Sequence, residues 1–365
     1  MLFVGVISET LLYFCFATLL GSFILHTVPK DVRPEIVVPR KVLFIAIMGV
    51  ALLSFIQPLR LILAFYKEIG LSLTVQSVIF TFEIGKAWLL TVFFSIILFI
   101  YLVLFDIRKK TSYSYVGIII TIGLIVAVGW ASHASSQVGF SGFITHSFHF
   151  LAVSTWIGIL LIVGWFSTNQ NNWLNFLKWF SPVAVICLLI TMGTGLFLMN
   201  VVVEFKDYAS AWKLTYGQAL LLKHILIIPL LTFAFINSIL IRKRLKNVEN
   251  FNPRPWTKVE SLVVLFIFVA TSVLGQTSPP HNIASTLAME GPAKLFDLLY
   301  SGSVTRELDV VLAFGVNSIS LMVLAVLFIG LTIIAFMKRA PAILSFIISV
   351  LSVITIYLSL MFSIQ

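Results

Sequence analysis

Ten long apolar stretches constrain this chain more than any other feature of its sequence. A helix needs about 20 apolar residues to cross a hydrocarbon core of roughly 30 Å, and each stretch meets or approaches that length. We therefore predict an all-α fold: a polytopic helical membrane protein with about ten transmembrane helices. The stretches fall at about 3–27, 41–64, 86–105, 113–132, 143–167, 178–201, 215–241, 258–276, 310–337 and 341–363.

The composition supports a membrane location. Of the 365 residues 60% are hydrophobic and only 10% are charged, whereas soluble domains carry roughly 25% charged residues. The predicted location is the bacterial cytoplasmic membrane, crossed many times, with lipid around most of the chain. The net charge of +10 is explained by basic loops that are retained on the inner side of a membrane. We therefore expect no nucleic-acid partner.

The orientation in the membrane follows from the positions of Lys and Arg. Most of the 24 basic residues lie in the connections after the first, third, fifth, seventh and ninth stretches, and the connection 133–142 has none. Basic loops are retained in the cytoplasm. We therefore predict that these odd connections are cytoplasmic and that both termini are extracytoplasmic. The piece 71–84 is apolar but interrupted, and it is predicted to be an interfacial helix.

Half of the six histidines lie within seventeen residues of one another, where two apolar stretches meet. His146 and His149 are three apart in a helix, so they share a face with Cβ atoms about 5–6 Å apart. That spacing suits two ligands of one ion. His133 ends the preceding stretch, one predicted ten-residue loop away. His281, after a double proline, is predicted to lie at the same outer surface.

Sulfur and deeper imidazole donors extend the candidate set. Met199 lies near the outer end of the sixth stretch, and His224 lies within the seventh. Imidazole suits Zn, Cu, Fe and Ni, while thioether and thiolate select Cu(I). The blander interpretation is that the sulfurs pack in the core and that a histidine bonds a backbone carbonyl. No catalytic residue is predicted; the candidate metal ligands are His133, His146, His149, His281, His224 and Met199.

Several short motifs occur in an order that matches a known family. They are Trp130-Ala131-Ser132-His133-Ala134, Thr145-His146-Ser147-Phe148-His149, Trp156-Ile157-Gly158, Phe180-Ser181-Pro182-Val183-Ala184, Thr194-Gly195, the run from Thr215 to Lys223, Asn237, Glu260 and Pro279-Pro280. With these motifs the chain resembles the CopD family of copper-transport and copper-resistance membrane proteins, including the membrane part of YcnJ-type proteins. The resemblance covers about 128–280.

The resemblance implies that the protein handles copper at the extracytoplasmic face and promotes copper uptake, without being an enzyme. The family's histidine positions carry over onto His133, His146 and His149. A CopC-like copper-binding protein is the implied partner, and it would be separate because no such β domain occurs in this chain. The implied organisation is a three-helix segment (1–112), a CopD-like helical core (113–280), an extracytoplasmic loop (281–309) and a two-helix hairpin (310–365).

Two other functions compete with copper transport. A b-type haem-binding electron carrier uses histidines from facing membrane helices as axial ligands, and His149 and His224 lie on different helices. A structural or assembly factor for a copper enzyme is the third interpretation. The family resemblance favours copper over haem.

Overall fold

The fold is all-α, as predicted. A computed structural model of the protein describes residues 2–248, 251–280, 282–300, 302, 304–305 and 308–364. It is 82% helical, and ten helices of its described part are long and apolar enough to cross a membrane. These findings confirm the predicted fold class and the multi-pass membrane location. The side of the membrane that each terminus faces stays a prediction.

Fifteen α-helices make up the described part of the chain. They are α1 (Leu2–Thr27), α2 (Arg40–Leu53), α3 (Ile56–Ile69), α4 (Leu71–Gln76), α5 (Glu83–Leu104), α6 (Thr111–Trp130), α7 (His133–Phe166), α8 (Trp173–Val202), α9 (Thr215–Phe235), α10 (Ile241–Asn247), α11 (Arg254–Gln276), α12 (Ile283–Glu290), α13 (Lys294–Leu299), α14 (Val316–Met337) and α15 (Ala342–Met361).

The second predicted span is broken into α2 and α3. The break falls at Ser54 and Phe55, and Pro58 explains it. A proline ring clashes with the carbonyl four residues earlier and has no N–H to donate, so the helix cannot continue unbroken through Ser54. The prediction of a separate helix within 71–84 agrees with α4, which a π-helical turn at Ser77–Thr81 extends.

The prediction of an irregular loop at 133–142 was wrong. Helix α7 begins at His133, where Ser132 caps it by accepting a hydrogen bond from the backbone N–H of Ser135 at 3.2 Å. The helix is interrupted only by non-helical backbone at Val138 and Gly139. Gly139 has a φ of 60°, a conformation that glycine adopts without steric cost. His133 therefore lies on a helical turn that is set off from the rest of α7 by a kink.

The chain forms two compact units, which divide between Val201 and Val202. In the first unit α1 packs against α7, α2 and α6. The α1–α7 contact is a glycine crossing: a Cβ added to Gly158 would lie 2.3 Å from the carbonyl oxygen of Ala17, and one added to Gly21 would lie 2.2 Å from the Gly158 carbonyl. Only small residues let membrane helices approach this closely. The crossing fixes which residues of α1 lie beside which residues of α7.

The second unit contains α9 to α15. Within it α9 packs against α11, and α14 forms a hairpin with α15. Buried polar side chains pair across these helices, because hydrocarbon offers them no water. Asn237 donates to a carboxylate oxygen of the buried Glu260 at 2.6 Å, and the Tyr357 hydroxyl donates to Gln218 at 2.5 Å. The predicted segment boundaries at 112/113, 280/281 and 309/310 stay predictions.

Substituting Gly158 by alanine is expected to destabilise the protein. The added methyl group would meet backbone atoms of α1, which cannot rotate away, so we expect a cost of about 1–3 kcal/mol, typical of overpacking. The measurement is thermal unfolding of purified protein in detergent.

Gly193→Ala is the matched control. It lies on α8, where an added Cβ meets nothing within 4 Å, and alanine favours a helix over glycine by about 1 kcal/mol. We expect its melting temperature to be unchanged or slightly raised. Equal melting temperatures for the Gly158 and Gly193 variants would contradict the crossing.

Candidate functional site

His146 anchors one half of the candidate site, next to an aromatic cluster. Its ring centroid lies 6.4 Å from that of Phe150, one turn further along α7. Phe150 packs edge-on against two rings of α1, Phe16 at 4.9 Å and Tyr13 at 5.6 Å. The position of His146 relative to α1 is therefore fixed by this cluster and by the glycine crossing deeper in the same contact.

A carboxylate of α1 lies at the level of His146. The two helices run parallel, because Tyr13 meets Phe150 and Gly21 meets Gly158. Glu9 precedes Tyr13 by one turn, as His146 precedes Phe150, and the Tyr13 hydroxyl donates to the Glu9 carboxylate. The predicted ligand set does not include this group. The signal was present: Glu9 is the only acidic residue of α1, and Tyr13 follows it at helical spacing.

His149 forms the other half of the site and faces α8. Its Nδ1 lies 2.9 Å from the hydroxyl oxygen of Thr194. The same hydroxyl lies 2.6 Å from the carbonyl oxygen of Ile190. A threonine hydroxyl has one proton, and the shorter contact assigns that proton to Ile190. Thr194 then accepts a hydrogen bond from His149.

This contact selects one form of the imidazole. If Nδ1 carries the proton that it donates to Thr194, the lone pair of the neutral ring is on Nε2. A metal-binding histidine almost always donates its other ring N–H to an oxygen of the protein, which fixes the orientation of the ring. Thr194 therefore holds His149 in the form that can bind a metal through Nε2.

Met199 lies on the same face of α8 as the residues that touch His149. A Cβ added to Gly195 would lie 3.4 Å from Cε1 of the His149 ring, and Met199 follows Gly195 by one turn. The Met199 side chain is only 9% exposed, whereas Met192 is 47% exposed. Of these two thioethers, the structure therefore turns Met199 inward.

The remaining predicted ligands are His133, His281 and His224. His133 is exposed, on the turn before the Gly139 kink. His281 lies outside the described residues. Among the residues that the structure does describe, no three His, Cys, Asp or Glu side chains are grouped so as to hold a metal ion. The set of six ligands therefore stays a prediction, of which His146, His149 and Met199 have the supporting geometry given above.

His224 lies in the second unit, on α9. Its Nδ1 is 2.7 Å from the hydroxyl oxygen of Tyr208, which precedes the helix in an irregular segment. Burial raises the pKa of Tyr208 to about 12, so the phenol keeps its proton at neutral pH and can donate it to the imidazole. The hydrogen bond with Tyr208 gives His224 a structural role in the second unit.

One comparison with known proteins is positive. Residues 174–274 match the family model of CopD, copper resistance protein D. The matched segment holds almost all of α8, all of α9 and α10, and most of α11, and it is narrower than the resemblance at 128–280. It includes Thr194 and Met199 but neither His146 nor His149. No curated protein and no solved structure matches the chain.

The match confirms the predicted resemblance and favours copper handling, while no finding supports the haem alternative.

Thr194→Val is expected to weaken copper binding without unfolding the protein. Valine keeps the shape of threonine but cannot accept the hydrogen bond of His149, and loss of such a supporting contact typically costs 10- to 100-fold in metal affinity. The measurement is copper binding to purified protein by competition with a chelator of known affinity. Thr191→Val, one turn earlier on α8, is the control and is expected to bind as the original protein does. Equal affinities for both variants would contradict the role of Thr194.

Proposed function

We propose that the protein transports copper across the membrane and that His146 and His149 accept the ion, since residues 174–274 match the CopD family model. One observation carries this proposal. The hydrogen bond between His149 and Thr194 joins a predicted copper ligand to a residue inside the family-matched segment. The bond also gives the imidazole the orientation that metal binding requires.

The donors at this place suit copper. His146 and His149 supply nitrogen, and Met199, one turn after Gly195 on α8, supplies a thioether. The Glu9 carboxylate of α1 lies at the level of His146 without being grouped with both histidines, and it offers oxygen to a passing ion. Imidazole binds copper in either oxidation state, and thioether sulfur selects Cu(I). A mixed set of this kind lets an ion pass from nitrogen and oxygen ligands to a softer one.

A site with only two histidine ligands is suited to an ion that is transported and therefore must be released. Structural metal sites are closed by four protein ligands, whereas sites that exchange a ligand keep a position open. Two imidazoles fill only two positions of an ion, which leaves the others open for an arriving or departing donor. Tight closure would oppose release.

Uptake is the direction that we propose. The predicted orientation puts His146 and His149 near the outer surface, beside the segment 133–142, which carries no Lys or Arg and so does not repel a cation. His133 lies exposed on the helical turn of that segment. It is the proposed place where a separate CopC-like protein transfers its ion.

Replacing His146 and His149 together by alanine is expected to abolish the copper accumulation that the protein confers. Both imidazoles disappear, and the remaining carboxylate and thioether do not retain the ion. The measurement is cell-associated copper, by elemental mass spectrometry, in cells that express the variant or the original protein at equal membrane levels.

Phe148→Ala is the matched control. It lies between the two histidines on the same helix, and its side chain is 54% exposed. We expect this variant to accumulate copper normally. Unchanged accumulation in the double histidine variant would refute the site, and a fall in cell copper on expression of the original protein would refute uptake.

A further inference from the structure

The second unit has an apolar groove along the line where α9 faces α14. The groove has a volume of about 430 Å³ and is lined by Ile228, Leu231, Thr232 and Phe235 of α9 and by Ile333 of α14. Ile228, Leu231 and Phe235 are 37–42% exposed. Four residues at helical spacing thus form a continuous apolar wall that opens to the surroundings of the unit. In a bilayer, the surroundings are acyl chains.

A basic cavity lies just beyond the end of this groove. It has a volume of about 210 Å³ and is lined by Arg244, Val248, Phe251, Trp256, Arg339 and Ala340. The Arg244 guanidinium stacks over the ring of Phe336 at 4.1 Å and donates to the carbonyl oxygen of Met337 at 3.1 Å. Phe336 and Met337 follow Ile333 by about one turn on the same face of α14. The groove and the cavity are therefore neighbours along one line.

Contacts hold the Arg244 side chain and the Arg339 backbone in place. Arg244 is fixed by its stacking on Phe336 and by a second ring, Phe251, at 5.3 Å. Arg339 lies in the turn after α14 with a φ of 62°, and its N–H donates to the Phe336 carbonyl at 3.1 Å. The following residue, Ala340, donates back to Ala335 at 2.9 Å. These two backbone hydrogen bonds fix the path of the chain through Arg339.

Two positive charges that share a cavity repel each other. Arg244 and Arg339 line the same cavity, and no acidic residue is among those described as lining it. An anion between the two guanidinium groups would replace this repulsion by attraction. Arginine is the residue best suited to a phosphate, because its planar fork donates two parallel hydrogen bonds to phosphate oxygens.

We propose that this line of α9 and α14 binds an anionic phospholipid, with the phosphate of its headgroup between Arg244 and Arg339 and an acyl chain in the groove. The continuity of groove and cavity favours a lipid over a free phosphate ion, because a phosphate ion has no apolar part that the groove could bind. The ends of α10 and α14 are predicted to be cytoplasmic, and that leaflet is the one rich in anionic lipids, which attract basic groups beside a membrane helix.

The test is lipid retention by the full-length protein. The protein is reconstituted into nanodiscs of phosphatidylcholine and phosphatidylglycerol in equal amounts, released into mild detergent and analysed by native mass spectrometry. We expect the original protein to retain phosphatidylglycerol in preference to phosphatidylcholine. Arg244→Gln/Arg339→Gln is expected to lose that preference by at least about tenfold, since it removes both guanidinium groups that donate to the phosphate.

The control changes the same number of charges next to the cavity. Lys243 and Lys338 directly precede Arg244 and Arg339 in the chain and do not line the cavity. Lys243→Gln/Lys338→Gln is therefore expected to retain phosphatidylglycerol. An equal loss in this control would overturn the proposal in favour of general surface charge. Arg339→Gln alone removes an exposed side chain and is expected to show part of the loss even if the double variant fails to fold.

A second measurement distinguishes a lipid from a free anion. Phosphatidylglycerol is expected to raise the melting temperature of the original protein in detergent, and inorganic phosphate at the same concentration is not. An equal shift with inorganic phosphate, or with phosphatidylcholine, would overturn the proposal.

Discussion

The close crossing of α1 and α7 is the constraint on which the first unit depends. Gly21 and Gly158 bring the two backbones into contact, and membrane helices gain their association largely from such close packing, because lipid tails offer no hydrophobic driving force. Once this contact is set in a parallel arrangement, the pairing of Tyr13 with Phe150 follows. Glu9 and His146 then lie at one level. The candidate site is thus placed by small residues that have no chemistry of their own.

The span pattern of this chain was predictable because the bilayer imposes it. Each span must cover the same thickness of hydrocarbon, so the ten apolar stretches match ten helical spans. The fifth begins ten residues before its predicted start, and the other boundaries differ by six residues or fewer. The helix over 133–142 was not predictable in the same way. Most of its residues are small or polar, and capping by Ser132 together with a glycine of positive φ decides its structure locally.

Side-chain partners were less accessible from the sequence than the helices themselves. The spacing of His146 and His149 predicts that they share one face of a helix, and in the structure the His146 ring lies beside Phe150 while the His149 ring contacts Thr194 of α8. The sequence did not indicate that Thr194 contacts His149, because a threonine within an apolar helix most often donates its hydroxyl to a backbone carbonyl of the preceding turn. Thr194 does both: it donates to Ile190 and accepts from His149. Partners that are distant in sequence require the packed structure.

Helices α7 and α8 contribute different parts of the candidate site. The family-matched segment contains the residue that orients an imidazole and the thioether beside it, while the imidazoles lie on the preceding helix, outside the match. A histidine that is held by a hydrogen bond binds metal in one defined form, so a change at Thr194 alters the ligand without touching it. In this chain α8 determines how α7 presents its histidine. We therefore expect α8, together with the identity of the ligands, to set how strongly the site holds its ion.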